Sequence, residues 1–221
     1  MKLPEQIKAL VFDAFGTLFN VLSLDQRLES HFGDQAPAIN AIWRQKQLQY
    51  TWLKSLMNRY EPFSTVTSQA LSFACEELGI KLEEEVRVHM VQGYYELQAF
   101  QELKEGLGGL KEHYKLAILS NADPAMLNSA AKHNEIDHFF DAILSVDSIK
   151  QFKPIPTVYQ LAPDALELSA SEIAFVSSNT WDVSGAKSFG LFTIWINRNE
   201  STMEKLGFGA DLEINSLVEL L

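Results

Sequence analysis

Residues 7–19 read Ile7-Lys8-Ala9-Leu10-Val11-Phe12-Asp13-Ala14-Phe15-Gly16-Thr17-Leu18-Phe19, a pattern that indicates a buried strand followed by a turn. It begins with an apolar run that is too short for a free-standing helix and has the branched residues of a buried strand. Asp13 ends the run, and Gly16 and Thr17 turn the chain. A carboxylate at the carboxyl end of a buried parallel strand lies where open α/β sheets bind ligands. Asp13 is therefore a candidate functional residue, although a turn or helix-capping aspartate has the same local sequence.

The composition limits the classes of protein to which the chain can belong. Its 221 residues are 47% hydrophobic and 21% charged, which is typical of a soluble globular protein of one or two domains. The net charge of −11 and the absence of a basic run argue against a nucleic-acid partner. Cys75 is the only cysteine, so no intrachain disulfide can form. The start of the chain lacks the apolar core of a signal peptide, and no stretch has the length of a membrane span, so we expect a cytoplasmic protein.

The pattern along the chain predicts an α/β fold with a helical insertion. Between about Leu22 and Gln98 the periodicity is helical, with helices predicted over 36–60, 66–78 and 82–97. From about Phe100 strands and helices alternate, which predicts a doubly wound parallel sheet. The predicted strands are 7–13, 115–120, 142–145, 173–177, 192–196 and 211–214, and the helices between and after them are 103–113, 124–132, 157–166, 181–189 and 216–221. Asp123 is the predicted N-cap of helix 124–132. We therefore expect a core domain of residues 1–18 and 98–221, and a helical cap domain of residues 19–97 over the carboxyl edge of the sheet.

Polar residues follow several of the predicted strands. Strand 115–120 ends in Ser120-Asn121, and strand 173–177 is followed by Ser178-Asn179, with Asp182 one turn into the next helix. Lys153-Pro154 lies in the loop before helix 157–166. Each residue alone has a structural explanation as a turn, a cap or a solvated charge. Together with Asp13, however, they would converge on one crevice of a parallel sheet.

In this order the motifs resemble those of the haloacid dehalogenase superfamily over nearly the whole chain. The four motifs are Asp13 in Phe-Asp-Ala-Phe-Gly-Thr, Ser120 in Leu-Ser-Asn, Lys153 in Phe-Lys-Pro and Asp182 in Ser-Ser-Asn-Thr-Trp-Asp. The resemblance implies a Rossmann-like core and a helical cap inserted after the first motif.

Position 15 indicates the branch of the superfamily. Its phosphatases carry a second aspartate there, whereas this chain has Phe15, which can neither donate a proton nor bind a metal. The fourth motif offers Asp182 as its only carboxylate, and Lys153 would oppose a dication, so the site suits Mg²⁺ poorly. These features resemble the metal-independent L-2-haloacid dehalogenases, as do residues 43–53 around Arg44 and residues 153–159 from Lys153 to Tyr159. Several members of that family have Tyr where this chain has Phe15.

That resemblance implies a mechanism without a cofactor or a metal. Asp13 would displace halide from C2 of a 2-haloalkanoate with inversion, forming an ester that water then hydrolyses at its carbonyl. Lys153 would place Asp13 and favour its ionised form, while Asp182, Ser177 and Asn179 would activate the water. The expected catalytic residues are Asp13, Thr17, Arg44, Ser120, Lys153, Tyr159, Ser177, Asn179 and Asp182. The resemblance also implies a homodimer, in which the apolar cap helices could supply the interface.

Other positions are expected to bind the substrate. Ser120, Lys153 and the N–H groups that follow Asp13, beginning with Ala14, suit its carboxylate. Arg44, Asn121 and the ring edge of Trp181 suit the departing halide. The expected substrate-binding residues are Ala14, Phe15, Arg44, Gln45, Leu48, Phe63, Ser120, Asn121 and Trp181. Without the resemblance, Arg44 would be interpreted as a surface ion pair, and for Leu48 and Phe63 a core role fits equally well.

The sequence leaves two other functions open. One is a magnesium-dependent phosphatase or phosphonate hydrolase of the same superfamily, and the other is a catalytically silent binding protein. Three further features are interpreted as structural: Cys75 as a buried thiol, His133 and His138 as lacking companion zinc ligands, and the glycine-rich segment 105–110 as lacking nucleotide-binding spacing.

Overall fold

The sheet of this protein is built from the apolar runs that alternate with helices in the sequence. The computed structural model describes residues 3–221, and within them six strands form one parallel sheet in the order β3-β2-β1-β4-β5-β6. All four residues of β1 are buried, as expected for a central strand covered on both faces. The predicted α/β class with a doubly wound parallel sheet is confirmed. The strands are β1 Ala9–Phe12, β2 Lys115–Ser120, β3 Ala142–Ser145, β4 Ile173–Ser177, β5 Phe192–Ile196 and β6 Leu212–Ile214.

Helices flank the sheet and fill the long connection from β1 to β2. The first five helices lie in that connection, the fifth directly before β2, and the other three alternate with the later strands. They are α1 Asp25–Phe32, α2 Ala36–Leu56, α3 Phe63–Glu77, α4 Glu84–Gln92, α5 Leu103–Lys111, α6 Pro124–His133, α7 Pro156–Leu166 and α8 Thr180–Phe189. We call α1–α4 the inserted helices. No helix of residues 3–221 is both long enough and apolar enough to cross a bilayer.

Helix boundaries in the inserted segment differ from the prediction. Helix α2 ends at Leu56 instead of residue 60, because Asn58 takes a left-handed backbone (φ +53°) that closes the helix. Helix α3 begins at Phe63, three residues earlier than predicted, because Pro62 at its N-cap fixes an extended backbone before the first turn. The sequence periodicity did not predict α1 as a separate helix.

The two connections between the sheet and the inserted helices run side by side. Phe19 and Ala99 form an antiparallel bridge, the N–H of Asn20 donates to the carbonyl of Gln98 (2.8 Å), and the N–H of Phe100 donates to the carbonyl of Leu18 (3.2 Å). The segment between them therefore leaves and rejoins the sheet at one place. The division into core and cap domains at these positions stays a prediction.

The glycine-rich segment 105–110 has a structural role, as interpreted from the sequence. It lies within α5, against the C-terminal 3-10 turn Leu217–Leu220 that replaces the helix predicted at 216–221. A Cβ atom on Gly106 would lie 2.9 Å from Leu217, and one on Gly109 would lie 2.5 Å from Leu221. Glycine lets the end of the chain pack directly on the backbone of α5, and the fit is least able to adjust at Gly106, where a Cβ would meet Cγ and Cβ of the buried Leu217.

Candidate active site

The polar strand ends converge where the strand order reverses. Strand β1 lies between β2 and β4, and the N–H of Asp13 continues the ladder by donating to the carbonyl of Val176 (2.9 Å). Asp13 therefore leaves β1 beside the end of β4, at the topological switch point of the sheet. The turn after it is tight: Gly16 has φ +88°, and a Cβ there would lie 3.0 Å from Oγ of Ser178.

Both carboxylate oxygens of Asp13 are held by hydrogen bonds. Oδ2 accepts from the hydroxyl of Thr17 (2.9 Å) and from Nδ2 of Asn179 (2.8 Å), while Oδ1 accepts from Nζ of Lys153 (3.1 Å). Thr17 is fixed in turn, because its Oγ1 accepts from the N–H of Ser178 (2.9 Å). The two oxygens thus differ: Oδ2 has two close neutral donors, and Oδ1 has one cationic donor.

Lys153 is buried between two carboxylates. Its side chain is 1% exposed, and Nζ donates to Asp13 and to Oδ2 of Asp182 (2.9 Å) while lying 4.8 Å from the ring centre of Phe175. Burial lowers the pKa of Lys153, but the charges of Asp13 and Asp182 more than offset this and raise the pKa above its ordinary value. Lys153 is therefore an ammonium that joins the first and fourth motifs. Its backbone N–H donates to Oδ1 of Asn121 (2.9 Å), which fixes the loop.

Asp182 is fully buried and accepts from three side chains. Tyr159 donates to Oδ1 (2.7 Å), and Lys153 and Ser177 (3.2 Å) donate to Oδ2. Burial raises the pKa of Asp182 to about 6; the Lys153 ammonium opposes this shift and the Asp13 carboxylate adds to it. Burial and the charge of Asp182 also raise the pKa of Tyr159 well above its ordinary value, so that Tyr159 is a neutral donor.

Ser177 and Asn179 face the carboxylates. The hydroxyl of Ser177 lies 3.2 Å from Oδ2 of Asp182 and 3.5 Å from Oδ2 of Asp13, between the two acids. Asn179 is at the N-cap position of α8, but its side chain makes no capping hydrogen bond and donates to Asp13 and to the carbonyl of Phe15 (3.2 Å). The capping explanation for Asn179 is therefore wrong, because its amide is turned towards the acid.

Ser120 and Asn121 lie beside this cluster at the end of β2. Both side chains are buried; Oγ of Ser120 accepts from the N–H of Ala122 (3.1 Å), and Oδ1 of Asn121 is engaged by Lys153. Within residues 3–221 the amide nitrogen of Asn121 has no hydrogen-bond partner. Neither residue contacts Asp13 through a hydrogen bond, so a substrate role for them stays a prediction.

Asp123 corrects a prediction about capping. The sequence pattern assigns it as the side-chain N-cap of α6, yet its side chain makes no such hydrogen bond. The carboxylate instead accepts from the backbone N–H groups of Phe63 (2.6 Å) and Ser64 (3.0 Å), the first residues of α3. A buried helix N-terminus with free N–H groups is a strong attraction for a carboxylate, and here that terminus comes from another part of the chain.

Aromatic rings cover the cluster from the side of the inserted helices. The ring of Phe15 packs against Phe63 and Tyr94, with centroids 5.8 and 5.4 Å apart, and Trp181 packs edge-on against Trp52 at 5.6 Å. Leu48 is half-buried, whereas Gln45 is exposed and makes no hydrogen bond within residues 3–221.

A cavity of about 570 Å³ lies next to this wall. It opens between the end of α2 and the loop 152–156, and its lining is largely apolar. Lys153 and Trp181 border it, so the cavity adjoins the polar cluster and offers room for an apolar group.

Arg44 is half-buried on α2 and makes no ion pair within the part of the chain that the structure describes. Its Nη1 donates to Oε1 of Gln47 (2.7 Å) and to the hydroxyl of Tyr94 (3.3 Å), whose ring contacts Phe15. The surface ion-pair interpretation is therefore wrong. Arg44 does not touch Asp13 and is linked to the site through Tyr94.

Sequence reasoning missed three residues of this region: Gln47, Tyr94 and Asp123, the last assigned to the wrong helix. A signal existed for Gln47, since it lies four residues from Trp43 and Thr51 on the buried face of α2, where a polar side chain needs a partner. The partners of Tyr94 and Asp123 are distant in the sequence and gave no such signal.

The donor set does not suit a divalent cation. Within residues 3–221 no three His, Cys, Asp or Glu side chains are grouped to hold a metal ion. The two carboxylates of the cluster, Asp13 and Asp182, both face the Lys153 ammonium, which lies where a bridging cation would have to sit.

The class of protein to which this chain belongs is shown by a match to a family model. The family model of haloacid dehalogenase-like hydrolases matches residues 7–190, which contain β1–β4 and the whole polar cluster. The molecule is thus an α/β hydrolase built around an aspartate at the end of β1.

Individual relatives then define the branch. The (S)-2-haloacid dehalogenase of Pseudomonas sp. (strain YL) is 44% identical over 96% of this chain and 92% of its own, and (S)-2-haloacid dehalogenase 2 of Pseudomonas sp. (strain CBS-3) is 39% identical over 98% and 95%. The L-2-haloacid dehalogenase of Xanthobacter autotrophicus, solved with chloropropionic acid covalently bound, superposes with a TM-score of 0.93 at 34% identity and covers 97% of this chain and 96% of its own. The chain therefore belongs to the (S)-2-haloacid dehalogenases, within the haloacid dehalogenase-like hydrolases.

Proposed function

We propose that this protein hydrolyses short-chain (S)-2-haloalkanoic acids to (R)-2-hydroxyalkanoic acids with inversion, through an ester on Asp13. One observation carries the proposal: Lys153 joins Asp13 to Asp182, while the apolar Phe15 occupies the position two residues after the nucleophile where phosphatases need an acid. A halide leaves without a proton, so this site needs no general acid. The names of the Pseudomonas relatives and the covalently bound chloropropionic acid of the Xanthobacter enzyme support the same reaction.

In the first step a carboxylate oxygen of Asp13 attacks C2. We assign Oδ1 as the nucleophile, because Oδ2 is occupied by Thr17 and Asn179. The new C–O bond forms as the C–halogen bond breaks, and halide departs with the bonding electron pair. Lys153 keeps the attacking oxygen in place, and Tyr159 fixes Asp182 on the other side of the ammonium.

In the second step water attacks the carbonyl carbon of the ester. Oδ2 is then the carbonyl oxygen, and the donors Thr17 and Asn179 that already bind it stabilise the negative charge that develops there. Ser177 lies between Asp13 and Asp182, so the proton of the water can pass through its hydroxyl to Asp182. The bond between the carbonyl carbon and Oδ1 then breaks, and Oδ1 leaves with the substrate carbon while taking a proton from Lys153, which Asp182 reprotonates with the proton it received from water. The new carboxyl group loses its remaining proton to solvent, so that Asp13 is restored with one oxygen from water and the hydroxy acid is released.

Substrate and halide require cationic and polar groups around C2. We assign the substrate carboxylate to Ser120 and the backbone N–H of Ala14, and the halide to Arg44 and the free amide nitrogen of Asn121. Phe15, Phe63, Leu48 and Trp181 form the wall around the alkyl group, beside the 570 Å³ cavity. A role for Gln45, which is exposed, stays a prediction.

The inserted helices act as a cap in this proposal. They contribute Phe63 and the aromatic wall, and Asp123 ties the start of α3 to the segment that follows Ser120 at the end of β2. A cap excludes water from the first step, which keeps the carboxylate nucleophile reactive.

A homodimer also fits the structure. The end of α2 exposes Leu53, Leu56 and Met57, whose exposed fractions are 42, 78 and 59%, and such a patch is typical of an interface. Sedimentation equilibrium should give twice the chain mass of 24.9 kDa, and Leu56→Glu should shift the protein towards the monomer. A wild-type monomer would contradict the dimer. We also propose a cytoplasmic location, which the free thiol of Cys75 supports.

The decisive experiment is chloride release from each enantiomer of 2-chloropropanoate in excess EDTA. We expect release from the (S) enantiomer only and (R)-lactate as product. Phosphate release from small esters that requires added Mg²⁺, without chloride release, would favour the phosphatase alternative. No turnover of any haloacid, together with tight binding of one, would favour a silent binding protein.

A further inference from the structure

Arg44 is held by one edge of its guanidinium. Nη1 donates to Oε1 of Gln47 and lies 3.3 Å from the hydroxyl of Tyr94. In the part of the chain covered by residues 3–221, its Nε and Nη2 have no hydrogen-bond partner. The side chain is thus anchored on one side and presents free N–H donors on the other.

Gln47 is itself fixed in one orientation. It is completely buried, and its Nε2 donates to Oγ1 of Thr67 (2.8 Å), which leaves Oε1 turned towards Arg44. Thr67 is anchored too, because its carbonyl accepts from the indole of Trp43 (2.8 Å). A chain of hydrogen bonds therefore connects the packed face of α2 and α3 to the guanidinium.

Tyr94 closes this network and connects it to the substrate wall. Its hydroxyl can accept from Arg44 while donating to Oε1 of Gln47 (3.4 Å), and it has no other hydrogen-bond partner within residues 3–221. Its ring packs against Phe15 and Trp43, at 5.4 and 5.5 Å. The buried hydroxyl thus has a polar environment only because Arg44 and Gln47 provide it.

We propose that Gln47 and Tyr94 are positioning residues that orient Arg44 towards the departing halide and thereby determine how well poor leaving groups are expelled. The inference rests on the proposed function, in which Arg44 binds the halide. A guanidinium that moves by about 1 Å loses much of its effect on developing charge, and such a displacement can cost about 10²-fold in rate. The departure of chloride depends more on this stabilisation than the departure of bromide, because the carbon–chlorine bond is the harder one to break.

The test uses Gln47→Met and Tyr94→Phe, which keep the side-chain volume and remove the polar atoms. We expect kcat/KM for (S)-2-chloropropanoate to fall about 10- to 100-fold, the loss with (S)-2-bromopropanoate to be smaller, and the inhibition constant of bromide to rise. Gln49→Met and Tyr50→Phe are matched controls on α2: Gln49 is exposed, the ring of Tyr50 packs on Phe73, and neither contacts Arg44 through a hydrogen bond. Both controls should retain wild-type kinetics for both substrates.

A double-mutant cycle with Arg44→Ala distinguishes a positioning role of Gln47 and Tyr94 from a general effect of their substitution on the structure. If Gln47 and Tyr94 act through Arg44, their substitutions should add no further loss in the Arg44→Ala background. Equal losses in both backgrounds, or an unchanged ratio between the chloro and bromo substrates, would overturn the inference and leave the proposed function intact. Near wild-type turnover of Arg44→Ala alone would instead remove the halide role assigned to Arg44.

Discussion

Nζ of Lys153 donates a hydrogen bond of 3.1 Å to Oδ1 of Asp13, although the two residues are 140 positions apart in the sequence. The same ammonium binds Asp182, so one buried cation serves two carboxylates. This arrangement explains how an aspartate can remain a nucleophile beside a second acid. It also makes Lys153 the residue on which the site depends most.

Removing the ammonium should cost both activity and stability. Lys153→Met leaves Asp13 and Asp182 close together without a counter-charge, and the loss of a buried ionic partner typically costs about 3–5 kcal/mol. We expect a lower free energy of unfolding at pH 7.5, a smaller deficit at pH 5, below the raised pKa of Asp182, where that carboxyl takes up a proton, and no measurable dehalogenation. Urea unfolding at the two pH values tests this. Lys150→Met is the control, because Lys150 forms an exposed pair with Asp147. Equal stability losses for both variants would contradict the argument.

Asn179→Ala should separate the two chemical steps. It removes a donor to Oδ2 of Asp13, which becomes the carbonyl oxygen of the ester, while the Lys153 contact at Oδ1 remains. Loss of one such donor typically slows the step by about 10²–10³-fold. With excess substrate, we expect a burst of about one halide per active site followed by slow turnover.

Intact-mass analysis should then show Asp13 carrying the carbon skeleton of the substrate without the halogen. Wild-type turnover in ¹⁸O-water should place label in the Asp13 carboxylate. Label that enters only the hydroxy acid during a single turnover would mean that water attacks C2 directly, and the nucleophile assignment would be wrong.

Asp182 should set the acid limb of the pH profile. Its pKa is raised to about 6, so it is a neutral acid below that pH and cannot accept a proton from Ser177 or water. Esterification removes the negative charge of Asp13, which contributes to the raised pKa of Asp182, so the rate of ester hydrolysis should fall only as the pH drops below about 6. Because the pKa of Lys153 is raised above its ordinary value, no loss of its charge is expected over the measured pH range. Because Asp182 accepts the proton of the water only after the halide has departed, the limb should appear in the decay of the ester and not in kcat/KM. Rapid-quench measurements from pH 5 to 9 separate ester formation from ester decay, and a limb for ester decay above pH 7 would contradict the assignment.

Asp123→Ala should loosen the inserted helices. The carboxylate satisfies two N–H groups at the start of α3, and the loss of an N-cap typically costs about 1 kcal/mol, up to about 2. We expect that decrease in the free energy of unfolding, with partial recovery in Asp123→Asn, and a raised KM because Phe63 moves with the helix. Urea unfolding and steady-state kinetics measure both. Asp164→Ala, at an exposed position on α7, should change neither. An unchanged KM in Asp123→Ala would show that this contact does not position the substrate wall.

Most strands of the sheet could be predicted from the sequence. Strands 115–120, 142–145, 173–177 and 192–196 were predicted at their observed bounds, because a buried strand of a parallel sheet is a short apolar run that can be recognised locally. The order of polar strand ends after those runs also indicated Asp13, Lys153, Ser177 and Asp182 as one group, since parallel strands end at one edge.

The hydrogen-bond partners of the site residues could be seen only in the folded structure. That Oδ2 of Asp13 faces Asn179, that Asp123 binds the start of α3 and not of α6, and that Gln47 and Tyr94 hold Arg44 all depend on contacts between residues distant in the sequence. Hydrogen bonds require partners within about 3 Å in a defined orientation, and that geometry is fixed by how helices and strands pack. Local sequence patterns predict whether a side chain is buried. They do not predict which group forms its hydrogen bond.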